Sequence, residues 1–112
     1  EQLYPFPWDS LQRHLEPYKH CELVWCQEEP RNMGAWSFVE ELIEETAAEM
    51  GFKNPRPRFA GRRSAASPAT GSFQRHVNEQ ARLLEEALTI GLPRVGRIAT
   101  RRAEDEAKVV AR

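Results

Sequence analysis

Residues 23–36, LVWCQEEPRNMGAW, join a short apolar run to a polar loop and then to the start of a helix. The run at 23–26 shows no strict alternation of apolar and polar side chains, which predicts a strand buried on both faces, as in a parallel sheet. The polar loop covers residues 28–34, and the helix that follows ends before Gly51. Its apolar stripe contains Trp36, Val39, Ile43, Ala47 and Met50.

Shorter elements are predicted on both sides of this strand and helix. Residues 3–7, LYPFP, predict the end of a strand, because each proline restricts the preceding residue to extended backbone. Asp9 or Ser10 is then expected to cap a short helix. Residues 56–60 predict a second strand near a sheet edge, and residues 61–71 predict a loop. A last helix is predicted from about Ser72 to Ile90, with one apolar side formed by Phe73, Val77, Ala81, Leu84 and Leu88.

This alternation of strands and helices predicts an α/β fold with a parallel sheet. About three strands are expected, and an open sheet of that size leaves two long edges unpaired. The domain therefore needs more sheet from upstream or a partner. Residues 1–91 are predicted to form one partial domain, and residues 92–112 a polar, disordered tail.

Composition and charge narrow the classes of function. The 112 residues suit one small domain, and a net charge of −1 creates no whole-chain field for nucleic acid or an anionic membrane. No apolar run approaches the roughly 18 residues that span a bilayer. The chain begins at Glu1 and is expected to be an N-terminally truncated fragment. Cys21 and Cys26 are expected to be unpaired, small core residues, which favours a reducing compartment.

Three motifs carry a resemblance to a known family. They are EQLYPFP at 1–7, WCQEEPRNMGAW at 25–36, and RPRFAGR at 56–62, which continues through SPATGS at 67–72 to His76, Glu79 and Gln80. In this order, and over about residues 1–90, they resemble the C-terminal domain of the 2-oxoglutarate dehydrogenases. The tail after Gly91 departs from the family pattern.

The resemblance implies a small three-layer domain like the transketolase C-terminal domain, belonging to the thiamin-diphosphate-dependent decarboxylating component. This oxidoreductase of the tricarboxylic acid cycle decarboxylates 2-oxoglutarate and passes the succinyl group to the acyltransferase of its multienzyme complex. In the family, the thiamin diphosphate, the magnesium and the catalytic histidines lie on preceding domains. The resemblance therefore implies that this chain binds no cofactor or metal, contains no catalytic residue and is inactive alone.

The same resemblance implies partners and a compartment. The expected partners are the remaining domains of the parent chain, a second copy in a homodimer, and the acyltransferase. The expected compartment is the bacterial cytoplasm or the mitochondrial matrix. Nucleic acid and membrane are not expected as partners, because acidic residues interrupt the arginines of the tail and no aromatic residues alternate with them.

Two acidic residues follow the first buried strand at the edge where ligands gather in open α/β sheets. Glu28 and Glu29 could cap the following helix, pair with Arg31, or contact another subunit. The candidate interface residues are Glu28, Glu29, Arg31, Asn32 and Trp36, although Trp36 also fits the core. His14, His20 and His76 fit structural or surface roles, because no second group completes a catalytic dyad with them.

Clustered arginines surround the loop rich in Ser and Gly. Guanidinium groups and the free N–H groups at the start of a helix are suited to a phosphate oxygen. The resemblance adds acetyl-coenzyme A or a nucleotide such as adenosine monophosphate as an effector. The alternative function is thus a free-standing regulatory or scaffolding module that binds a nucleotide-like anion, whereas ion pairs with nearby glutamates would make the arginines structural. The candidate anion-binding residues are Arg56, Arg58, Arg62, Arg63, Ser67 and Ser72.

Overall fold

The computed structural model describes residues 2–67 and 71–92. The elements are α1 (Trp8–Leu15), a 3-10 turn (Glu16–Tyr18), β1 (Val24–Pro30), α2 (Trp36–Glu49), β2 (Arg58–Arg62) and α3 (Phe73–Leu88). This order confirms the predicted α/β fold. The predicted disordered tail lies outside the described residues except for Leu92, and so do residues 68–70 of the predicted loop.

The two strands form a parallel pair, as predicted. Val24 pairs with Arg58, and Cys26 pairs with Ala60. The register then shifts, so that Pro30 pairs with Arg62. Such an irregularity bends a strand without ending it. The prediction that Glu28 and Glu29 lie in a loop is therefore wrong, because β1 continues through them to Pro30.

The contacts of β2 show how the layers are arranged. Alternate side chains of a strand point to opposite faces of its sheet. Arg58 and Arg62 contact residues of α3, whereas Phe59 packs on Trp36 of α2, with ring centroids 5.3 Å apart. The sheet thus lies between α2 and α3, which confirms the three-layer arrangement.

The apolar stripe of α2 is directed inward, as its spacing predicts. Trp36, Val39 and Ala47 are buried, and the chain leaves the helix at Gly51. The buried Thr46 is accommodated because its hydroxyl donates to the carbonyl oxygen of Leu42 at 2.7 Å. Phe52, Ala60 and Leu83 are also buried, as are Pro30 and Pro57.

The first segment differs from its prediction. Residues 3–7 form no strand, and the sheet of the described residues has two strands. Pro5 and Pro7 lack an N–H group, so this segment has few donors for strand pairing. Helix α1 begins at Trp8 with no side-chain cap, so the predicted capping by Asp9 or Ser10 is wrong.

The cysteines also differ from their prediction, because both Cys21 and Cys26 are exposed. Cys26 lies on β1, which has no further strand beside it in the described part of the chain. Its register partner Ala60, on the central part of β2, is fully buried.

Helix α3 is rotated away from the orientation that its apolar pattern predicts. Phe73 and Leu88, at the two ends of the stripe, are 82% and 83% exposed, whereas Leu83 is buried against the sheet. The inward surface also carries the polar side chains of His76 and Glu79, which contact Arg62 of β2, while Arg58 donates to the backbone carbonyl of Glu86. These polar contacts, and not the apolar stripe, determine which side of α3 faces the core. None of the helices between residues 2 and 92 that are described is long and apolar enough to cross a membrane.

Candidate functional site

A cavity of about 650 Å³ lies beside the carboxyl end of β2. Its walls come from Pro30, from the end of β2 and the loop after it, and from one side of α3. Its polar lining residues are Arg62, Arg63, Ser64, Ser67, Arg75, Glu79 and Arg82. The lining carries the four guanidinium groups of these arginines and only one carboxylate, that of Glu79, so the cavity has an excess of positive charge.

The structure brings together three of the six residues predicted to bind an anion. Arg62, Arg63 and Ser67 line the cavity, whereas Arg56 and Arg58 do not. Ser72 has a different role, since its hydroxyl accepts a hydrogen bond of 3.5 Å from the backbone N–H of Arg75 and caps α3. It therefore supports the helix turn that carries Arg75.

Arg58 is held in a closed set of contacts. Its Nε donates to Glu22 Oε1 at 2.9 Å, and its two terminal nitrogens donate to the carbonyl oxygens of Glu86 and Thr89 at 2.9 and 2.8 Å. Glu86 lies in the last turn of α3 and Thr89 directly follows the helix, where the chain leaves acceptors that no later N–H group of the helix reaches. With 5% of its surface exposed, Arg58 joins β2 to the end of α3.

Arg62 has less complete contacts. Its Nη2 donates to His76 Nδ1 at 2.9 Å, which requires that this ring nitrogen carries no proton, because a guanidinium group can only donate. Its Nε lies 3.5 Å from Glu79 Oε2 in an ion pair, yet neither atom forms a hydrogen bond. A guanidinium group with 7% exposure thus lines the cavity with donor capacity remaining.

Two arginines of the cavity were missed from the sequence. Arg75 and Arg82 lie two turns apart on α3, on the side of the helix that carries Glu79. Arg75 Nε donates to Glu79 Oε1 at 3.0 Å, and Arg82 Nε lies 3.4 Å from Glu86 Oε1. The seven-residue spacing of the two arginines was a signal that could have found them.

The rim of the cavity is hydrogen-bonded to the loop after β1. Asn32 Nδ2 donates to the carbonyl oxygen of Ala65 at 2.9 Å, and the N–H of Ala65 donates back to Asn32 Oδ1 at 3.0 Å. This pair of bonds fixes the loop that carries Arg63 and Ser64. Asn32, a candidate interface residue, is thus placed where it holds the cavity wall.

Gln27 organises the turn that precedes α2, and sequence reasoning missed it. Its side-chain Oε1 accepts from Trp25 Nε1 at 2.9 Å and from the backbone N–H of Trp36 at 3.2 Å, while its Nε2 donates to the carbonyl oxygen of Met33 at 2.8 Å. Gln27 therefore serves the first N–H of α2, a role expected of Glu28 or Glu29. Gly34 turns the chain here at a φ of +66°, where its missing Cβ leaves room for the Gln27 amide.

The other candidate interface residues surround this turn. Glu28 and Glu29 are exposed, and Gln80 Nε2 of α3 donates to Glu28 Oε1 at 3.4 Å. The guanidinium carbon of Arg31 lies over the rings of Phe59 and Trp36, at 5.0 and 5.5 Å from their centroids. Trp36 itself is buried and belongs to the core.

A close backbone contact joins the turn to β2. A Cβ placed on Gly61 would lie 2.9 Å from the backbone oxygen of Gln27. Only glycine permits the backbones of the two strands to approach this closely without a shift. Gly61 thus brings the carboxyl ends of both strands together next to the cavity.

The donor set of the cavity suits an anion. Guanidinium groups bind phosphate and carboxylate oxygens, whereas magnesium requires oxygen ligands. Among residues 2–67 and 71–92, no three His, Cys, Asp or Glu side chains are grouped so that they could hold a metal ion. These residues therefore do not fit thiamin diphosphate with its magnesium, and they offer no set of ligands for that metal.

Comparison with known proteins gives one consistent result. Residues 1–88 match the model of the family described as 2-oxoglutarate dehydrogenase C-terminal. Over 88 residues the chain is 52% identical to the 2-oxoglutarate dehydrogenase E1 components of Brucella anthropi, Brucella ovis and Brucella canis. The match covers 79% of this chain and 9% of each relative, so the chain spans about a tenth of their length. The chain belongs to the 2-oxoglutarate dehydrogenase C-terminal family.

Proposed function

We propose that this chain is the C-terminal structural and assembly module of a 2-oxoglutarate dehydrogenase E1 component, and that it does not catalyse alone. The observation that carries the proposal is the parallel pair β1 and β2, each with one edge that no strand covers in the described part of the chain. Purely parallel sheets are stable as parts of larger sheets covered on both faces. The match covers only 9% of each Brucella relative, so the rest of a protein of that length can supply the additional strands and helices.

In this proposal the activity belongs to the whole parent protein. Its other domains hold thiamin diphosphate and magnesium, which supply the chemistry of oxidative decarboxylation of 2-oxoglutarate in the tricarboxylic acid cycle. The residues of this chain hold the module in place through the sheet edges and through Glu28, Glu29 and Asn32, which are exposed.

The proposed partners follow from that placement. They are the remaining domains of the parent chain, a second copy of the chain, and the acyltransferase of the complex. The relatives in Brucella favour the bacterial cytoplasm over the mitochondrial matrix as the compartment.

A catalytic test addresses the first half of the proposal. The 112-residue chain is incubated with thiamin diphosphate, magnesium and 2-oxoglutarate, and released carbon dioxide is measured. We expect no release above a control with cofactor and substrate alone. Release clearly above that control contradicts the proposal.

Hydrogen exchange tests the assembly role directly. We expect the backbone amides of residues 24–29 and of Arg58–Arg62 to exchange much faster in the chain alone than when it is joined to the remaining domains of a Brucella-type E1 component. Residues 39–47 of α2 serve as the internal control, because their N–H groups are bonded within the helix and Val39, Thr46 and Ala47 are buried within the module itself. Equal protection of the strands in both samples, together with a cooperative, concentration-independent monomer, contradicts the assembly role.

A second candidate function is favoured by the cavity at the end of β2. We propose that it binds the phosphate of a nucleotide-like effector, such as acetyl-coenzyme A or adenosine monophosphate. The supporting observation is the buried guanidinium group of Arg62 with Arg63, Arg75 and Arg82 around it. Charge-assisted hydrogen bonds from several guanidinium groups are what a phosphate needs.

Calorimetric titration with acetyl-coenzyme A tests this candidate. Arg63 is exposed, so Arg63→Ala should leave folding unchanged and weaken binding at least about tenfold, which is about 1.4 kcal/mol. Arg13→Ala is the matched control, since it removes the same charge from an exposed position on α1. Equal affinities of the two variants, or no binding to the unmodified chain, contradict an effector site here.

A further inference from the structure

We propose that the apolar face of α3, formed by Phe73, Val77, Ala81, Leu84 and Leu88, is the surface on which a second copy of the chain docks, with the two α3 helices antiparallel. The four large residues of this face are between 42% and 83% exposed. At about 100° per residue, all five lie within an arc of about 80°. A continuous exposed apolar patch of this kind marks an interaction site.

This face is not a displaced core. Leu83 is the buried residue of α3, and it lies about 120° around the helix from the centre of the apolar face. Arg58 fixes the end of α3 through two backbone carbonyls, and Arg62 fixes its start through His76. The helix cannot turn its apolar face to the sheet unless these contacts break.

The order of residues along the face is symmetric about the point between Gln80 and Ala81, and this symmetry identifies the occupant. Val77 and Leu84 are the inner pair, and Phe73 and Leu88 are the outer pair at equal steps beyond them. Antiparallel pairing therefore sets Val77 against Leu84 of the partner subunit, and Phe73 against Leu88 of the partner subunit. Such a self-complementary patch is what a two-fold interface requires.

The centre and the margins of the face fit the same arrangement. Ala81, the smallest residue of the face, falls at the crossing point, where a small side chain lets two helices approach closely. One margin carries Gln74, Asn78 and Glu85, and the antiparallel pair brings this margin against itself. Asn78 then lies within a turn of Glu85 of the partner subunit, so an amide faces the carboxylate and two like charges do not oppose each other.

This inference rests on the second copy in the proposed function, and it assigns that contact to α3. The test uses the 112-residue chain with Cys21→Ser and Cys26→Ser, which removes both exposed thiols. In this background Ala81→Cys is treated with a short bis-maleimide, and Arg82→Cys is the matched control. The side chain of Arg82 is 42% exposed at the same level of α3, but it lies about 140° from the centre of the face.

We expect Ala81→Cys to cross-link to itself at least about ten times more than Arg82→Cys. A mixture of Val77→Cys and Leu84→Cys chains should cross-link more than either chain alone, which distinguishes antiparallel from parallel pairing. Sedimentation of the uncross-linked chain measures whether a dimer forms at all, and Val77→Glu should weaken it at least about tenfold with an unchanged circular dichroism spectrum.

The outcomes separate this inference from the proposed homodimer. A dimer that sediments normally but cross-links equally at residues 81 and 82 leaves the homodimer intact and overturns the α3 interface. A chain that stays monomeric at all concentrations overturns both. The same cysteine can be placed at position 81 of a longer chain that includes the remaining domains. If it then neither reacts with the maleimide nor cross-links, those domains cover the face, and the inference is overturned.

Discussion

Arg58 and Arg62 lie on the same face of β2, are both at least nine-tenths buried, and contact the same helix, yet their surroundings differ. Arg58 meets a carboxylate and two carbonyl oxygens at 2.8 to 2.9 Å. Arg62 meets a histidine nitrogen at 2.9 Å and a carboxylate oxygen at 3.5 Å, beside a cavity.

The difference comes from which end of α3 each arginine meets. The last turn of a helix offers carbonyl oxygens without partners, so Arg58 finds acceptors in the backbone. The first turn offers N–H groups, so Arg62 must rely on side chains for acceptors. Two arginines on the same face of one strand can thus have different roles. Arg58 is a structural clamp, which holds β2 against the end of α3, whereas Arg62 is a candidate binding group.

The largest effect is expected at the Arg58 end. Arg58→Ala removes three hydrogen bonds and takes the guanidinium group away from the Glu22 carboxylate, whose side chain is 16% exposed. We expect the free energy of unfolding to fall by about 3 kcal/mol, because removing one partner of a largely buried ion pair, together with its bonds to two backbone carbonyls, is strongly destabilising. Urea titration followed by circular dichroism measures this loss.

The control for this change is Arg13→Ala, an exposed arginine of α1, which should alter the free energy of unfolding by less than about 0.5 kcal/mol. Similar losses for Arg13→Ala and Arg58→Ala would show that Arg58 is not a clamp, and the contrast with Arg62 would fail.

A smaller loss is expected at the other end of the strand. Arg62→Ala should lower the free energy of unfolding by about 1 kcal/mol, since the Glu79 carboxylate keeps Arg75 as a partner at 3.0 Å. The same urea titration gives the value, and the ratio of the two losses is the quantity of interest. A loss at Arg62 as large as that at Arg58 would remove the distinction between clamp and binding group.

The smallest effect on stability comes from completing the contacts of Arg62. His76→Asp places a carboxylate beside that guanidinium group in the first turns of α3, where negative charge is favoured. We expect a gain of about 0.5 kcal/mol in the free energy of unfolding and a fall in affinity for acetyl-coenzyme A of at least about threefold. His76→Asn is the uncharged control for both measurements.

A gain in affinity for His76→Asp would contradict the account, because an added carboxylate repels an anion and occupies the donors of Arg62. Unchanged affinity in both variants would place the effector away from this end of β2. Calorimetry on the two variants distinguishes these results.

Much of the fold follows from local pattern, and the exceptions have definite causes. The stripe from Trp36 to Ala47 predicts both the existence of α2 and its buried face, because its apolar side chains are the ones that pack into the core. The segment around Arg58 predicts a strand, and its parallel pairing follows from the helix between the two strands. The prediction of a strand at residues 3–7 is wrong. A strand forms only by hydrogen bonding to an adjacent strand, and Pro5 and Pro7 lack the N–H groups that such bonding needs.

The candidate site is only partly predictable. The cluster of Arg62, Arg63 and Ser67 is visible because these residues lie close together in the sequence. Arg75 and Arg82 join them only because α3 presents its polar side to β2. Arg58 is separated from the site although it is nearer in sequence to Arg62 than either of them, because strand geometry carries it toward the other end of α3.

The sequence by itself determined the family, the α/β class, the parallel pairing and the inward face of α2, since each depends on residues adjacent in the chain or on one strong apolar period. The rotation of α3 was decided only by the tertiary structure. The buried guanidinium group of Arg62 on β2 requires side-chain acceptors from α3, and leaving a buried charge without them costs more than exposing an apolar stripe. The helix therefore turns its polar side inward, which builds the cavity on one side and leaves Phe73, Val77, Leu84 and Leu88 exposed on the other.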